Sequence, residues 1–534
     1  MSNLIMGKQW IAGESSASGQ KPFTGINPRT QIPIEPAFYN ATADEIDQAV
    51  QAAKVAFEST RLYSAKRLAG FLDHVADEID ALGDQLLETA DLETGLGIPR
   101  LTSERARTTG QLRKFGMLLR EGSYVEAIID TAQPDRKPSP RPAIRRMLVP
   151  IGPVAVFSAS NFPFAFSVAG GDTASAFAAG CPVVVKAHPG HPATSELFAV
   201  AINRAIEAEG FPPGFFSLIQ GDRIDVGQNL VKHPDVAAVG FTGSLRAGRA
   251  IFDAAAARPI PIPVYAEMGS INPVVLLPNA LATRGDAIAD GLVNSVTLGS
   301  GQFCTNPGIV FMVDTPASQA FISTFTAKMR EKQPGVLLNQ HVLSGLEKAV
   351  RGTLAKDGVE LLAGGTVAAA DYLCYSHTVM QITSDAFRAD HELQIEHFGP
   401  VTLFVLCDSP DDLLRTLHYL EGNLTATVHS EDTEVKFAGQ ILNILREKVG
   451  RLIWDGYPTG VEVVYAMQHG GPYPATTAPA TTSVGMTAIR RFMRPVSFQN
   501  VPDALLPDAL KANNPLNIWR IVDDEITKAS IELT

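Results

Sequence analysis

Apolar residues recur every three or four positions through the first part of the chain. Over 42–60, Ile46, Val50, Ala53 and Phe57 fall on one stripe with polar residues between them, so the spacing predicts an amphipathic helix. Thr42 followed by Glu45 has the spacing of a capping box that would start it. The same period returns over 65–91 and 102–121, and a Pro-rich stretch over 133–142 then breaks it and reads as a linker. Beyond this point the pattern changes to short, wholly apolar runs. Val154–Phe157, Val183–Lys186, Phe216–Ile219 and residues 236–241 read as strands. Residues 165–179, 193–210 and a segment from Ile224 read as the helices between them. Strands apolar on both faces and separated by helices predict an α/β fold with a parallel sheet covered on both sides. A less regular α/β stretch follows over about 270–480, with no short-period repeat.

Composition narrows the function classes. The chain has 534 residues, 45% hydrophobic and 19% charged, enough to fold into about two to four domains. A net charge of −12 argues against nucleic acid or an anionic membrane as partner, since both need a positive face. It leaves room for a local basic pocket that takes a phosphate. The four cysteines show no paired spacing and no Cys/His set has zinc spacing, so neither disulfides nor a metal is expected. The N-terminus lacks a basic segment followed by an apolar run. The most apolar region, 153–185, is interrupted by Asn161, Pro163, Gly170, Gly171, Asp172, Gly180 and Pro182, so it is not a membrane span. The expectation is a reduced, cytoplasmic protein.

Ligands of open parallel sheets sit at the carboxyl ends of the strands. Ser158 to Asn161, Lys186, Gly243 to Gly248 and Glu267 all follow expected strand ends. Each is open to a plain reading. The Gly243–Gly248 spacing suits a phosphate at a helix N-terminus or a tight turn, and it lacks the Lys-Ser/Thr of a triphosphate loop. Lys186 is either a surface lysine or a cation at the mouth of the sheet. Asn161 is either a turn residue or a neutral amide donor for an oxyanion. Glu267, in small and apolar surroundings, suits a general base if it is buried. Cys304 lies in Gly-Ser-Gly-Gln-Phe-Cys-Thr-Asn-Pro-Gly, whereas Cys181, Cys374 and Cys407 sit among apolar neighbours. A thiolate in such a glycine-rich loop is a candidate nucleophile.

Taken in order, Asn161-Phe-Pro, Lys186, Phe241-Thr-Gly-Ser244, Glu267-Met-Gly, Gly301-Gln-Phe-Cys304 and Glu396-His-Phe-Gly-Pro400 resemble the aldehyde dehydrogenase superfamily over most of the chain. The resemblance implies that Cys304 attacks an aldehyde. Asn161 and the Cys304 N–H would stabilise the oxyanion, and Glu267 would activate the water that hydrolyses the thioester. It also implies that Ser158, Lys186, Gly243, Ser244, Gly248, Glu396 and Phe398 hold a nicotinamide cofactor. Many NAD-preferring members carry a glutamate three residues after the lysine, where this chain has Pro189. Without that carboxylate a 2′-phosphate is not repelled and Lys186 is free to pair with it, so NADP is the expected cofactor, with NAD as a second. Arg246 would assist or face solvent.

The nucleophile loop Gln-Phe-Cys-Thr-Asn-Pro-Gly, His469-Gly-Gly-Pro-Tyr-Pro-Ala-Thr-Thr in place of Pro-Phe-Gly-Gly, and Lys186-Ala-His-Pro are most similar to the branch that oxidises 2,5-dioxopentanoate (α-ketoglutaric semialdehyde) to 2-oxoglutarate. A related branch takes fatty aldehydes, and a non-catalytic relative of the fold is the alternative from another class. A carboxylate-bearing aldehyde needs a cationic clamp, for which the helix carrying Arg105, Arg107 and Arg113 is the candidate. Arg105, which shares a face with Thr109, is the candidate among them, the alternative being that all three arginines are solvated. Phe162, Phe166 and Phe303 would form the apolar tunnel walls. The implied architecture is a Rossmann-like cofactor domain over 1–136 and 153–267 and an α/β catalytic domain over 268–484. A β arm for oligomers would use 137–152 and 485–500, and an extension would run over 501–534. Strand-like composition at 142–149 and 488–498 suggests that these segments pair, and a homodimer or homotetramer is expected.

Overall fold

The structure, a computed structural model, describes residues 4–532. The first amphipathic stretch forms the helix Ala43–Thr60, and its start is the predicted capping box. The Glu45 N–H donates to the Thr42 hydroxyl at 3.2 Å, and the Thr42 N–H donates to the Glu45 carboxylate at 2.8 Å. The stretch over 65–91 resolves into two helices, Ala65–Ala81 and Gly83–Thr94, because Gly83 takes a φ of +58° and breaks the run. The next helix is Ile98–Glu121.

Four strands, Val154–Phe157, Val183–Lys186, Phe216–Ile219 and Ala238–Thr242, join Val264–Glu267 in one parallel sheet. Gln9–Ile11 and Glu14–Ser16 extend it as antiparallel strands. Successive side chains point to opposite faces, so each strand serves two cores. Val154, Val156, Val183 and Val185 pack with the helices Ala65–Ala81, Ile98–Glu121, Gly171–Ala179 and Pro192–Ala208. Ala155, Val184 and Val239 pack with Ala43–Thr60, Ile224–Lys232 and Leu245–Ala256. The order places Ala238–Thr242 beside Val154–Phe157, on the side away from Val183–Lys186. The chain therefore winds outward in both directions from that pair, and a crevice opens at its carboxyl end.

One expected helix is shorter than its composition suggests. Only Gly171–Ala179 is helical, and residues 165–170 form tight turns. The Ala165 carbonyl accepts from the Gly171 N–H at 3.0 Å, and a Cβ on Gly170 would lie 2.4 Å from that oxygen. The turn brings Phe162 and Phe166 back beneath the strand end.

The second α/β stretch is more regular than its sequence. Thr378–Thr383, Val401–Cys407, Ile309–Val313, Val274–Leu276, Asn423–His429 and Val449–Trp454 form a parallel sheet, with Glu360–Ala363 antiparallel at one edge. A third sheet pairs Ile144–Pro150 with Met493–Gln499, but residues 488–492 belong to a 3-10 helix, Met486–Phe492, and not to the strand. The C-terminal segment adds to this sheet. Arg520–Val522 lies parallel to Ile128–Asp130, and Glu525–Thr527 pairs with it in turn. Leu506, Leu510 and Ile518 bury against Val125, Ala127 and Ile129. No helix among the described residues is long and apolar enough to cross a membrane.

Removing the chain beyond Asn500 would open the edge of Ile128–Asp130 and uncover that small core. The truncated protein is expected to melt several degrees lower and to bind a hydrophobic dye at 25 °C, which differential scanning fluorimetry and dye titration would check. An unchanged melting curve would mean that the extension is peripheral.

Candidate active site

The first sheet delivers its candidate residues to one edge. Phe157 is in register with Lys186 and Phe241, and Thr242 with Glu267. Ser158, Lys186, Gly243 and Glu267 therefore leave the carboxyl ends of neighbouring strands. The Ser158 N–H donates to the Lys186 carbonyl and the Gly243 N–H to the Glu267 carbonyl, both at 3.1 Å. Ser244 caps the helix Leu245–Ala256, accepting from the Ala247 N–H at 3.3 Å. A Cβ on Gly248 would meet Met268 at 2.7 Å, so this helix lies directly against the segment that carries Glu267.

Cys304 approaches from the second α/β unit on a strained loop. Gly299, Ser300 and Gly301 have φ of +54°, +57° and +68°. A Cβ on Gly301 would lie 2.2 Å from the Gly399 carbonyl, so only hydrogen fits and the loop docks on the Glu396–Pro400 segment. Asn272 fixes the other side: its amide donates to the carbonyls of Cys304 at 2.8 Å and Asn306 at 2.9 Å. The Asn161 amide donates to the Gln302 carbonyl at 2.9 Å, which sets it beside the same loop with one N–H to spare.

Two residues complete this cluster that sequence reasoning did not select. Glu267 is 1% exposed, with Oε2 accepting from the Ser483 hydroxyl at 2.5 Å and Oε1 3.0 Å from His469 Nε2. The same Nε2 is 3.6 Å from Cys304 Sγ. Burial alone would raise the Glu267 pKa, but His469 and Ser483 hold it below the usual carboxylate range. Burial and the adjacent Glu267 charge push the Cys304 thiol well above its ordinary value. The signal for His469 was present in the sequence, since it heads the Gly-Gly segment that departs from Pro-Phe-Gly-Gly.

The thiol opens into a cavity of about 260 Å³ lined by Phe162, Phe166, Phe303, Arg107, Val461 and Glu462 among others. Phe162 meets Phe166 and Phe303 edge-on, with centroids 5.2 and 5.3 Å apart, so the three predicted wall residues come together. Arg105 does not join them. It donates to the Gly83 carbonyl at 2.8 Å, turned toward the neighbouring helix, and Arg113 pairs with Asp77 and Asp80 at the surface. Arg107 is the arginine in the cavity, because a step of two residues turns a helix by about 200°.

On the crevice side, the Lys186 ammonium donates to the Gly221 carbonyl, and burial lowers its pKa to about 8 against the pull of Asp222. The Ser158 hydroxyl is buried with no partner among the described residues. Arg246 is exposed. Glu396 packs against Gly269 and accepts from the Ser270 N–H at 3.4 Å, and burial of its carboxyl raises it to about 7. Phe398 is half-buried on the same segment.

Residues 14–471 match the aldehyde dehydrogenase family, and the chain belongs to that family, oxidoreductases acting on aldehydes. It is 48% identical over 522 residues to alpha-ketoglutaric semialdehyde dehydrogenase 2 of Azospirillum brasilense, covering 97% of this chain and 99% of that protein. It is 45% identical over 522 residues to alpha-ketoglutaric semialdehyde dehydrogenase of Acinetobacter baylyi, covering 98% and 99%. Among solved structures, betaine aldehyde dehydrogenase from Staphylococcus aureus in complex with NAD+ has a TM-score of 0.80 at 20% identity, over 93% of this chain and 96% of that one.

The electrostatics of the thiol can be tested directly. Replacing Glu267 by Gln removes the negative charge that raises the Cys304 pKa, so alkylation of Cys304 by iodoacetamide at pH 7.5 is expected to quicken by about tenfold, one pKa unit. Peptide mass spectrometry across a pH series would follow it. An unchanged profile would mean that Glu267 does not set the thiol's state.

Proposed function

We propose that this enzyme oxidises 2,5-dioxopentanoate to 2-oxoglutarate with a nicotinamide dinucleotide, through a covalent intermediate on Cys304. The observation that carries the chemistry is the convergence of Cys304, His469 and Glu267 at an aromatic cavity. The names of the two relatives at 48% and 45% identity support the substrate.

In this reading His469 Nε2, 3.6 Å from the sulfur, receives the thiol proton, and the negative Glu267, which opposes the thiolate at rest, acts in the hydrolytic step. The thiolate adds to the aldehyde carbon, giving a thiohemiacetal whose oxyanion takes hydrogen bonds from the Cys304 N–H and the spare N–H of Asn161. A nicotinamide dinucleotide supplies the hydride acceptor when bound. Loss of hydride leaves a thioester on Cys304. Glu267 then takes a proton from water, which attacks the acyl carbon, and the thiolate leaves. Ser483 holds one carboxylate oxygen and so aims the other at the reacting centre. Glu267 also disfavours a CoA-acylating reading, which needs no hydrolytic base.

The crevice suits the cofactor in its donors. The buried Ser158 hydroxyl, with no partner among the described residues, the Lys186 ammonium and the capped end of Leu245–Ala256 offer hydrogen bonds to ribose and phosphate. Glu396 and Phe398 would hold the nicotinamide end. NADP is the preferred form in this proposal, because Pro189 leaves no carboxylate to repel a 2′-phosphate near Lys186, and NAD is the second. The proposed domain division keeps the boundaries of the sequence reading: 1–136 and 153–267 for the cofactor, 268–484 for catalysis, 137–152 and 485–500 as the oligomer arm, and 501–534 as extension. A cytoplasmic homodimer or homotetramer completes the proposal.

Three variants separate the roles. Cys304→Ala is expected to abolish NADPH formation. His469→Gln keeps the side-chain volume and should lower kcat by about 100-fold. Glu267→Gln should give one rapid equivalent of NADPH followed by slow turnover. Normal steady-state rates in His469→Gln would remove the relay from the mechanism, and turnover without a burst in Glu267→Gln would remove the hydrolytic base.

A further inference from the structure

We propose that Arg107 receives the far-end carboxylate of the substrate, so that the cavity selects short aldehydes carrying an anion. The inference rests on the reading that Cys304 attacks the aldehyde, and it assigns specificity to one residue of the cavity.

Arg107 stands between the thiol and the outside. It lines the inner cavity with Cys304 and also an outer one of about 310 Å³ bounded by Gly110, Gln111 and Lys114. Its guanidinium lies over the Phe166 ring at 5.2 Å, a contact that uses the planar face and leaves the N–H edge free. That edge is poorly used. Nη2 reaches the Val461 carbonyl only at 3.5 Å, and Nη1 is buried with no partner among the described residues.

The neighbouring cations differ. Arg100 donates to the Asn161 carbonyl at 2.6 Å and lies 3.9 Å from Glu104, and Lys114 donates to the Val463 carbonyl. Arg100 also leaves Nη1 without a partner among the described residues, but it does not line the cavity that holds Cys304, whereas Arg107 does. A buried guanidinium with an unmet N–H is unfavourable unless a ligand supplies the acceptor.

The chemistry of that acceptor follows from the fork. Parallel N–H groups match the two oxygens of a carboxylate, which no neutral chain end provides. Phe162, Phe166 and Phe303 supply an apolar wall for the methylenes between the two ends. Glu462 lines both cavities, and the Glu104 and Glu267 carboxylates also act on Arg107, so these acids favour a single anionic group over a more highly charged ligand.

The test compares two five-carbon aldehydes, 2,5-dioxopentanoate and pentanal, with NAD and with NADP. In Arg107→Met the ratio of kcat/KM for the acid over pentanal is expected to fall by about 100-fold, mainly through KM for the acid. Arg107→Lys, which keeps the charge and loses the fork, should give an intermediate ratio. An unchanged ratio in Arg107→Met would overturn the assignment. On the unaltered enzyme, glutarate should compete with the substrate and glutaramide should not, and equal inhibition by the two would also overturn it. If the unaltered enzyme oxidises neither aldehyde, the functional reading itself fails. If it prefers the acid and Arg107→Met keeps that preference, only the role of Arg107 fails.

Discussion

The Glu267 carboxylate is almost wholly withdrawn from water, and a buried charge must be compensated or it is neutralised. Compensation comes from His469 and Ser483, and supplying them dictates the path of the chain far away in sequence. Val264–Glu267 is the last strand of its sheet, and an open edge there would be a liability. The segment around 475–477 closes it. The Met268 N–H donates to the Ala475 carbonyl at 2.8 Å, the Thr477 N–H to the Ala266 carbonyl at 3.1 Å, and Glu267 bridges to Thr476. Closing the edge in this way brings His469 and Ser483 over the carboxylate. Edge protection, charge compensation and assembly of the active site are thus one arrangement.

The second constraint is steric. Cys304 must reach that carboxylate from another sheet, and the close contact of Gly301 with Gly399 lets its loop sit deep enough. Asn272 sits at a φ of +47°, a strained position for a non-glycine residue, and its amide ties down the carbonyls on either side of the nucleophile's neighbour Thr305. The thiol is therefore positioned by backbone, with its own side chain free to face the cavity.

Much of this was legible because burial leaves a simple imprint. Strands covered on both faces, such as Val183–Lys186, are uniformly apolar, and the capping residues Thr42 and Glu45 mark a helix start without any tertiary information. The failures have physical causes. Residues 165–170, Ala-Phe-Ser-Val-Ala-Gly, run unbroken into the small-residue helix that follows, but the Ala165 carbonyl is taken by Gly171 in a turn. Periodicity assigns Arg105 and Arg107 to different faces of one helix without saying which face meets the cavity, and it is the face of Arg107 that does. His469 meets the thiol only in the folded chain, across 165 positions, so in the sequence it stands as a subfamily difference and not as a partner of Cys304.

The central claim is that the acyl group passes through Cys304 under the control of His469 and Glu267. Rapid acid quench of the full-length enzyme with 2,5-dioxopentanoate and NADP, followed by peptide mass spectrometry, tests it most directly. The account predicts a thioester on the Cys304 peptide within the first turnover, decaying at the rate of steady-state product formation. An acyl group found on another residue, or product formed with Cys304 unmodified throughout, would contradict it.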